Sequence, residues 1–207
     1  MTDTLRLETS RLLLRPLVAD DFEPFYEGLV CDPVVMAFYH AYALPMADAE
    51  RRARARRDFF DHFADGAERF GYICWTITSK PTVAASGVPP AMTGGTGQLL
   101  GWAAIVTPAL KDAALGPELA YMIASPFHGH GLATEAAAAV IADAFPRYGL
   151  AALHAVMDTP NTASRKVAEK LGFAYRGPVS VYGSDDMVLF SLARNAASTQ
   201  RTNGRGE

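Results

Sequence analysis

Cysteine is almost absent: Cys31 and Cys74 are the only two in 207 residues, and they lie far apart. Two isolated thiols exclude a disulfide scaffold and offer no metal-ligand spacing, so free thiols in a reducing compartment are expected. Long apolar runs are missing as well, none nearing the ~20 residues that a membrane span needs. The opening Met-Thr-Asp-Thr-Leu-Arg lacks the basic-then-apolar plan of a signal peptide. There is no excess of positive charge either: 19 Lys and Arg stand against 22 Asp and Glu, a net charge of -3. That balance removes any global pull toward nucleic acid or an anionic membrane. No internal repeat is found. A soluble, cytoplasmic protein is expected. What the chain does have is apolar mass, with 50% hydrophobic residues, enough for a sizeable core. One domain over residues 1–194 is expected, with a flexible Pro/Gly/Ser/Thr-rich insertion at about 81–98 and a disordered tail over 195–207.

The most informative stretch runs from Pro117 to Phe145. Glu118 to Ala124 is a short apolar run bounded by Pro117 and Pro126, which predicts a buried strand. His128 to Leu132 carries Gly129 and Gly131 and predicts a tight turn. Thr134 to Phe145 is alanine-rich and predicts a helix that stops at Pro146. A strand, a glycine turn and a helix together form an anion site, because the first helix amides have no internal partners and the dipole adds positive charge there. Two phosphate motifs fail. A dinucleotide fingerprint needs a third glycine where Thr134 stands, and a P-loop needs Gly-Lys-Ser/Thr where Thr134-Glu135 stands.

The remaining loop, His128-Gly129-His130-Gly131-Leu132-Ala133, resembles the pyrophosphate loop of the GNAT superfamily of acyl-coenzyme A N-acyltransferases, Gln/Arg-x-x-Gly-x-Gly/Ala. Gly131 and Ala133 match, and His128 stands where Gln or Arg is usual. A second stretch, Asn161-Thr162-Ala163-Ser164 through Leu171-Gly172-Phe173, resembles the family's second signature at the family's spacing. Its opening residue is a strong N-cap and Gly172 a helix stop. The opening Thr9-Ser10-Arg11-Leu12-Leu13-Leu14-Arg15-Pro16 resembles the branch that holds the ribosomal-protein-alanine N-acetyltransferases.

Elsewhere, residues 7–17 predict a first strand, and Phe22, Phe25, Tyr26 and Leu29 lie at helical spacing after an Asp20 or Asp21 cap. The segment Cys31 to Pro45 is aromatic-rich and irregular; the resemblance implies a substrate wall there, the alternative being a packed loop. Asp48 to Asp65 predicts a helix whose five arginines, Arg51, Arg52, Arg54, Arg56 and Arg57, form a solvated face rather than a nucleic-acid patch. Phe59, Phe60 and Phe63 are expected to face the core. Further strands are predicted at 72–78, 99–106, 151–157, 175–178 and 187–192. The resemblance implies an α+β three-layer fold: a mixed, mostly antiparallel sheet of six to seven strands with about four helices and a splayed parallel strand pair.

The same resemblance implies acetyl transfer from acetyl-coenzyme A directly to a primary amine on a peptide N-terminus or a small molecule. Alternatives are another acyl group such as succinyl, or a non-catalytic acyl-coenzyme A sensor. Tyr121, Met122, Ile123 and Ala124 would hold the pantetheine arm. Amides of His128, Gly129, His130, Gly131, Leu132, Ala133 and Thr134 would hold the pyrophosphate. Asn161 would reach the cofactor, with Arg165 or Lys166 on its phosphates. Glu118 is the expected base, the rival reading being a solvent-facing or ion-paired carboxylate. The Tyr that many relatives place seven residues after the signature Asn is Ala168 here, so Ser164 becomes the expected proton donor, unless its hydroxyl only bonds backbone. His128 and His130 lack further ligands for a metal. His154 reads as a buried, satisfied histidine. The oligomeric state stays open, a homodimer included.

Overall fold

The computed structural model describes residues 5–39, 42, 45–64, 71–80, 98–106 and 115–194. The expected insertion up to residue 97, the tail over 195–207, His40 and the Phe63 side chain lie outside the described residues. Among the described residues there are eight strands: β1 (Leu7–Glu8), β2 (Leu12–Pro16), β3 (Cys74–Ser79), β4 (Leu99–Val106), β5 (Glu118–Ile123), β6 (Ala152–Asp158), β7 (Ala174–Val181) and β8 (Ser184–Ala193). The α-helices are α1 (Phe22–Phe25), α2 (Asp48–Asp58), α3 (Leu132–Tyr148) and α4 (Thr162–Lys170). The strand order is β1-β2-β3-β4-β5-β6-β8-β7. The pairs β1–β2, β2–β3, β3–β4, β6–β8 and β7–β8 are antiparallel, and β5–β6 is parallel. This is the expected mixed sheet with one strand more than the upper expectation. The chain divides into two compact units, Met1–Ala104 with Tyr121–Ala136, and Ile105–Ala120 with Ala137–Glu207.

In the first unit, the single strand expected over 7–17 is two strands folded into a hairpin. Polar Thr9, Ser10 and Arg11 make the bend, with Thr9 N–H on the Leu12 carbonyl at 3.0 Å and Leu12 N–H on Thr9 Oγ1 at 2.9 Å. Leu12 and Leu14 of β2 and Trp75 and Ile77 of β3 supply buried aliphatic and indole mass. A polar knot in that core forms around Asp21. Its carboxylate accepts from both Arg15 Nη atoms at 2.7 and 2.6 Å, from Thr76 Oγ1 at 2.9 Å and from Val18 N–H at 3.0 Å. Burial alone raises its pKa, and these donors overcome that and hold it below the usual carboxylate range.

α1 is one turn long and continues as a π-helical turn, Tyr26–Val30, with Phe22, Phe25, Tyr26 and Leu29 buried as their spacing predicts. Phe59, with no exposed surface, packs edge-on against Phe22 and Phe25 at 5.4 and 5.2 Å. The arginine face of α2 differs from its expectation. Arg52 lies over Tyr26 at 4.8 Å, Arg56 over Phe60 at 4.9 Å and Arg54 over Tyr42 at 5.4 Å. Guanidinium planes on aromatic faces gain cation–π attraction that ammonium-type solvation would forgo. Three of the five arginines are thus packed onto rings of the same unit rather than fully solvated.

In the second unit, Leu153, Ala155 and Met157 alternate inward along β6, and Val188, Phe190 and Leu192 do so along β8. α3 runs past Pro146 instead of stopping at it. A proline so close to the C-terminus removes a single N–H, and the Asp143–Arg147 pair, at 2.6 Å, fastens the last turn across it. The closing strands are longer than the sequence suggests and are joined by a two-residue turn, Tyr182-Gly183, with φ of 55° and 77°. Positive φ at both central positions is the I′ geometry whose twist matches a hairpin.

Candidate active site

Two groups of side chains are built at either end of β5, and each is described within its own unit. In the first unit, β5 ends in a 3-10 turn, Ser125–Phe127, whose Ser125 hydroxyl donates to Asp32. His128 N–H is used inside that turn, on the Ser125 carbonyl at 3.1 Å. Of the seven amides expected at the anion site, that one is therefore already engaged. Gly129 and Gly131 take φ of 79° and 74°, a region closed to most side chains. A Cβ on Gly129 would meet nothing within 4 Å, so the backbone faces open space there. α3 then begins at Leu132, with Glu135 N–H on the Gly131 carbonyl at 3.1 Å. Helix geometry leaves the amides of Leu132, Ala133 and Thr134 without intrahelical acceptors. Open backbone, two left-handed glycines and a helix head fit an anionic diphosphate. The two histidines of the loop serve its shape: His128 Nε2 donates to the Ile123 carbonyl at 2.7 Å, and His130 Nδ1 lies 3.4 Å from the Phe127 carbonyl. Among the described residues no group of three or more His, Cys, Asp or Glu could hold a metal.

Along β5 itself, Met122 turns its carbonyl toward β4, only 2.1 Å from where a Cβ on Gly101 would stand, and Ala124 N–H bonds the Leu100 carbonyl at 2.9 Å. Strand alternation then puts the backbone groups of Tyr121 and Ile123 on the opposite edge. That is the edge a pantetheine arm would need, with the Ile123 carbonyl on it already accepting from His128 Nε2.

In the second unit, the start of β5 meets β6 at one register pair, Glu118↔His154, with His154 N–H on the Pro117 carbonyl at 2.9 Å. So short a parallel ladder is the splayed pair that the sequence resemblance implies. Val156, two residues further along β6, directs its N–H at the Glu118 carboxylate. Tyr182 reaches over from the β7–β8 turn and donates its hydroxyl to Glu118 Oε2. Glu118 is 6% exposed. Burial drives its pKa up to about 7, against the opposing pull of the Tyr182 and Val156 donors. Neither rival reading holds: the carboxylate is not solvent-facing and it has no cation partner among the described residues.

Tyr182 is the residue that sequence reasoning missed. It is the one described non-glycine residue with positive φ, a strained conformation worth about 1 kcal/mol or more for a residue with a Cβ. The sequence signal was there: an X-Gly pair between two alternating runs marks a two-residue hairpin. His154, expected to be satisfied, has its buried Nδ1 without a hydrogen-bond partner among the described residues. Burial, and then the charge of Arg176, lowers its pKa, so the ring is neutral.

On α4, the Asn161 side chain accepts the Ser164 N–H at 3.1 Å, the expected cap. Ser164 thus sits in the first turn, half-buried. Arg165 lies over Tyr175 and Phe190, 5.7 Å from each ring. Its charge rests on that aromatic pair.

The family model for the acetyltransferase (GNAT) domain matches residues 11–174. The chain therefore belongs to the GNAT acetyltransferase family, and its strand order with the parallel β5–β6 pair is that of the expected fold. Among curated proteins it is 26% identical over 189 residues to the uncharacterised protein YkkB of Bacillus subtilis strain 168, covering 88% of this chain and 96% of that one. Among solved structures it resembles an acetyltransferase from Agrobacterium tumefaciens str. C58, with TM-score 0.70, 21% identity, and coverage of 94% of this chain and 97% of that one. It also resembles RimL, a ribosomal L7/L12 alpha-N-protein acetyltransferase in complex with coenzyme A, with TM-score 0.64, 13% identity, and coverage of 93% and 99%. No helix among the described residues is long and apolar enough to cross a membrane.

Proposed function

We propose that this chain transfers an acetyl group from acetyl-coenzyme A directly to a primary amine, with Glu118 as the base. The observation that carries the reading is a buried carboxyl with a pKa near 7, seated where the parallel strand pair opens. A general base works best when its pKa lies near the operating pH. An amine arrives mostly as ammonium, and Glu118, with its proton half removed at neutral pH, accepts the proton that must leave before attack. Tyr182 holds one carboxylate oxygen and fixes the direction of the other. Acetyl-coenzyme A, when bound, supplies the activated thioester and a thiol leaving group.

The rest of the machinery follows the same division. The amides from Gly129 to Thr134 hold the diphosphate at the head of α3. The β5 edge carrying Tyr121 and Ile123 holds the pantetheine arm, with Met122 and Ala124 tying that strand to β4. By the family resemblance, Asn161 at the start of α4 would contact the cofactor, Ser164 would be the proton donor to the departing thiolate, and Arg165 would meet a phosphate. The acceptor is a primary amine on a peptide or small molecule, and the enzyme works in the cytoplasm.

A thiol-release assay with acetyl-coenzyme A over a panel of amines and N-terminal peptides tests the reading. Turnover with at least one amine is expected. Tight coenzyme A binding without turnover on any amine would instead favour the sensor reading, and neither binding nor turnover would remove both.

The Tyr182 hydroxyl lowers the Glu118 pKa, so Tyr182→Phe should raise it. The loss of one hydrogen bond to a charged group is worth about 1.5–3 kcal/mol, or roughly one to two pH units. The ascending limb of the kcat/KM–pH profile is expected to move from near 7 to higher pH by that amount. An unmoved limb would take Tyr182 out of the base.

A further inference from the structure

The signature Thr9-Ser10-Arg11 at the first hairpin has no part in the chemistry above, yet its side chains converge on the head of α3. Glu135 sits in the first turn of that helix, beside the proposed diphosphate site. A bare carboxylate there would repel a diphosphate and compete for the same dipole. Instead it is turned onto the hairpin. Its Oε1 accepts from Thr9 Oγ1 at 2.5 Å, Ser10 Oγ at 2.9 Å and Arg11 N–H at 2.9 Å, and its Oε2 from Arg11 Nε at 2.7 Å and Nη2 at 2.6 Å. Burial raises the Glu135 pKa, and these donors more than reverse it, so the group stays ionised and paired.

Arg11 has a third arm. Its Nη1 donates to the His130 carbonyl at 3.0 Å. No described peptide bond is cis, and in a trans peptide the carbonyl and the following N–H point in opposite directions. Gripping the His130 carbonyl from the hairpin side therefore turns the Gly131 N–H away from the hairpin. The guanidinium is well suited to this because its rigid planar fork pairs with the carboxylate through two N–H groups and keeps a third for the carbonyl, a fixed geometry that a lysine ammonium lacks.

We propose that Arg11 is a positioning residue for diphosphate binding: it neutralises Glu135 and fixes the His130–Gly131 peptide so that the Gly131 amide faces the anion. This inference rests on the proposed acyl-coenzyme A site at the same loop. It assigns no contact of Arg11 with the ligand. The effect runs through the peptide plane and through the cancelled charge.

The test compares coenzyme A with pantetheine, which has the same arm and no diphosphate, by calorimetric titration of the full chain, wild type, Arg11→Lys and Arg11→Gln. Thermal midpoints are recorded for all three. One misdirected charge-assisted amide bond is worth about tenfold to a hundredfold in affinity. Arg11→Gln is expected to lose coenzyme A affinity by that factor while pantetheine affinity holds, and Arg11→Lys, which keeps the charge, is expected to recover only part of it. Because the readout is a ratio of two ligands on the same folded fraction, partial unfolding does not produce the pattern. If wild type prefers coenzyme A to pantetheine and both variants keep that preference, Arg11 has no such role. If wild type shows no preference, the diphosphate site itself falls and takes this inference with it.

Discussion

Replacing Glu118 with Gln is expected to lower kcat by about a hundredfold to ten-thousandfold, the usual range for removing a general base, and to flatten the pH profile below neutrality. Gln keeps the shape and still accepts the Tyr182 hydroxyl, so the local packing stands. The same change should stabilise the protein at alkaline pH. Folded Glu118 holds its proton to about 7, whereas the unfolded side chain releases it near 4.5. Between those values the native state binds more protons than the unfolded state, so stability falls as pH rises through that window. The burden amounts to about 3 kcal/mol above neutral pH, and Glu118→Gln escapes it. A variant that is inactive yet more resistant to urea at pH 8, with little change at pH 4, separates a lost base from a damaged fold. Lower stability at pH 8 would contradict the burial argument.

The second large effect belongs to Gly101→Ala. A Cβ at that position would stand 2.1 Å from the Met122 carbonyl oxygen and 3.0 Å from Ile123 Cα. Both are backbone, so no side-chain rotation relieves the clash, and β4 and β5 must separate. Overpacking a core commonly costs about 1–3 kcal/mol, and disrupting the Ala124–Leu100 bond adds about 1 kcal/mol. A loss of about 3 kcal/mol or more in urea unfolding is expected. Any folded fraction should bind pantetheine more weakly, because Tyr121 and Ile123 shift with their strand. A drop under about 1 kcal/mol would mean that the two strands yield easily there.

Much of this fold was legible because its strongest elements are locally consistent. The apolar run ending at Ile123, the alanines of α3 and the Asn161 cap each point to one structure at every level, and each is where the sequence places it. What escaped reading depended on groups distant in sequence. The bend at Thr9 to Arg11 is fixed by Glu135, more than a hundred residues later, so the stretch looked like one strand. Arg52 and Arg54 of α2 looked solvated because the rings beneath them, Tyr26 and Tyr42, come from other segments. Glu118 was visible as a candidate base by family resemblance, but its partner was not. Tyr182 lies in a turn where Asn or Gly is usual, and nothing local says that its hydroxyl meets a strand 64 residues earlier. Strain tolerated at that position is what marks it after the fact.

The central claim is that a carboxyl, buried and held by a tyrosine, changes charge near neutral pH at the mouth of the splayed strands. Side-chain carboxyl carbon NMR on glutamate-labelled protein, with Glu118 assigned by its Gln variant, measures that directly and needs no substrate. A titration midpoint near 7 is predicted, moving higher in Tyr182→Phe. A midpoint near the ordinary 4.5, unmoved by that substitution, would contradict the account.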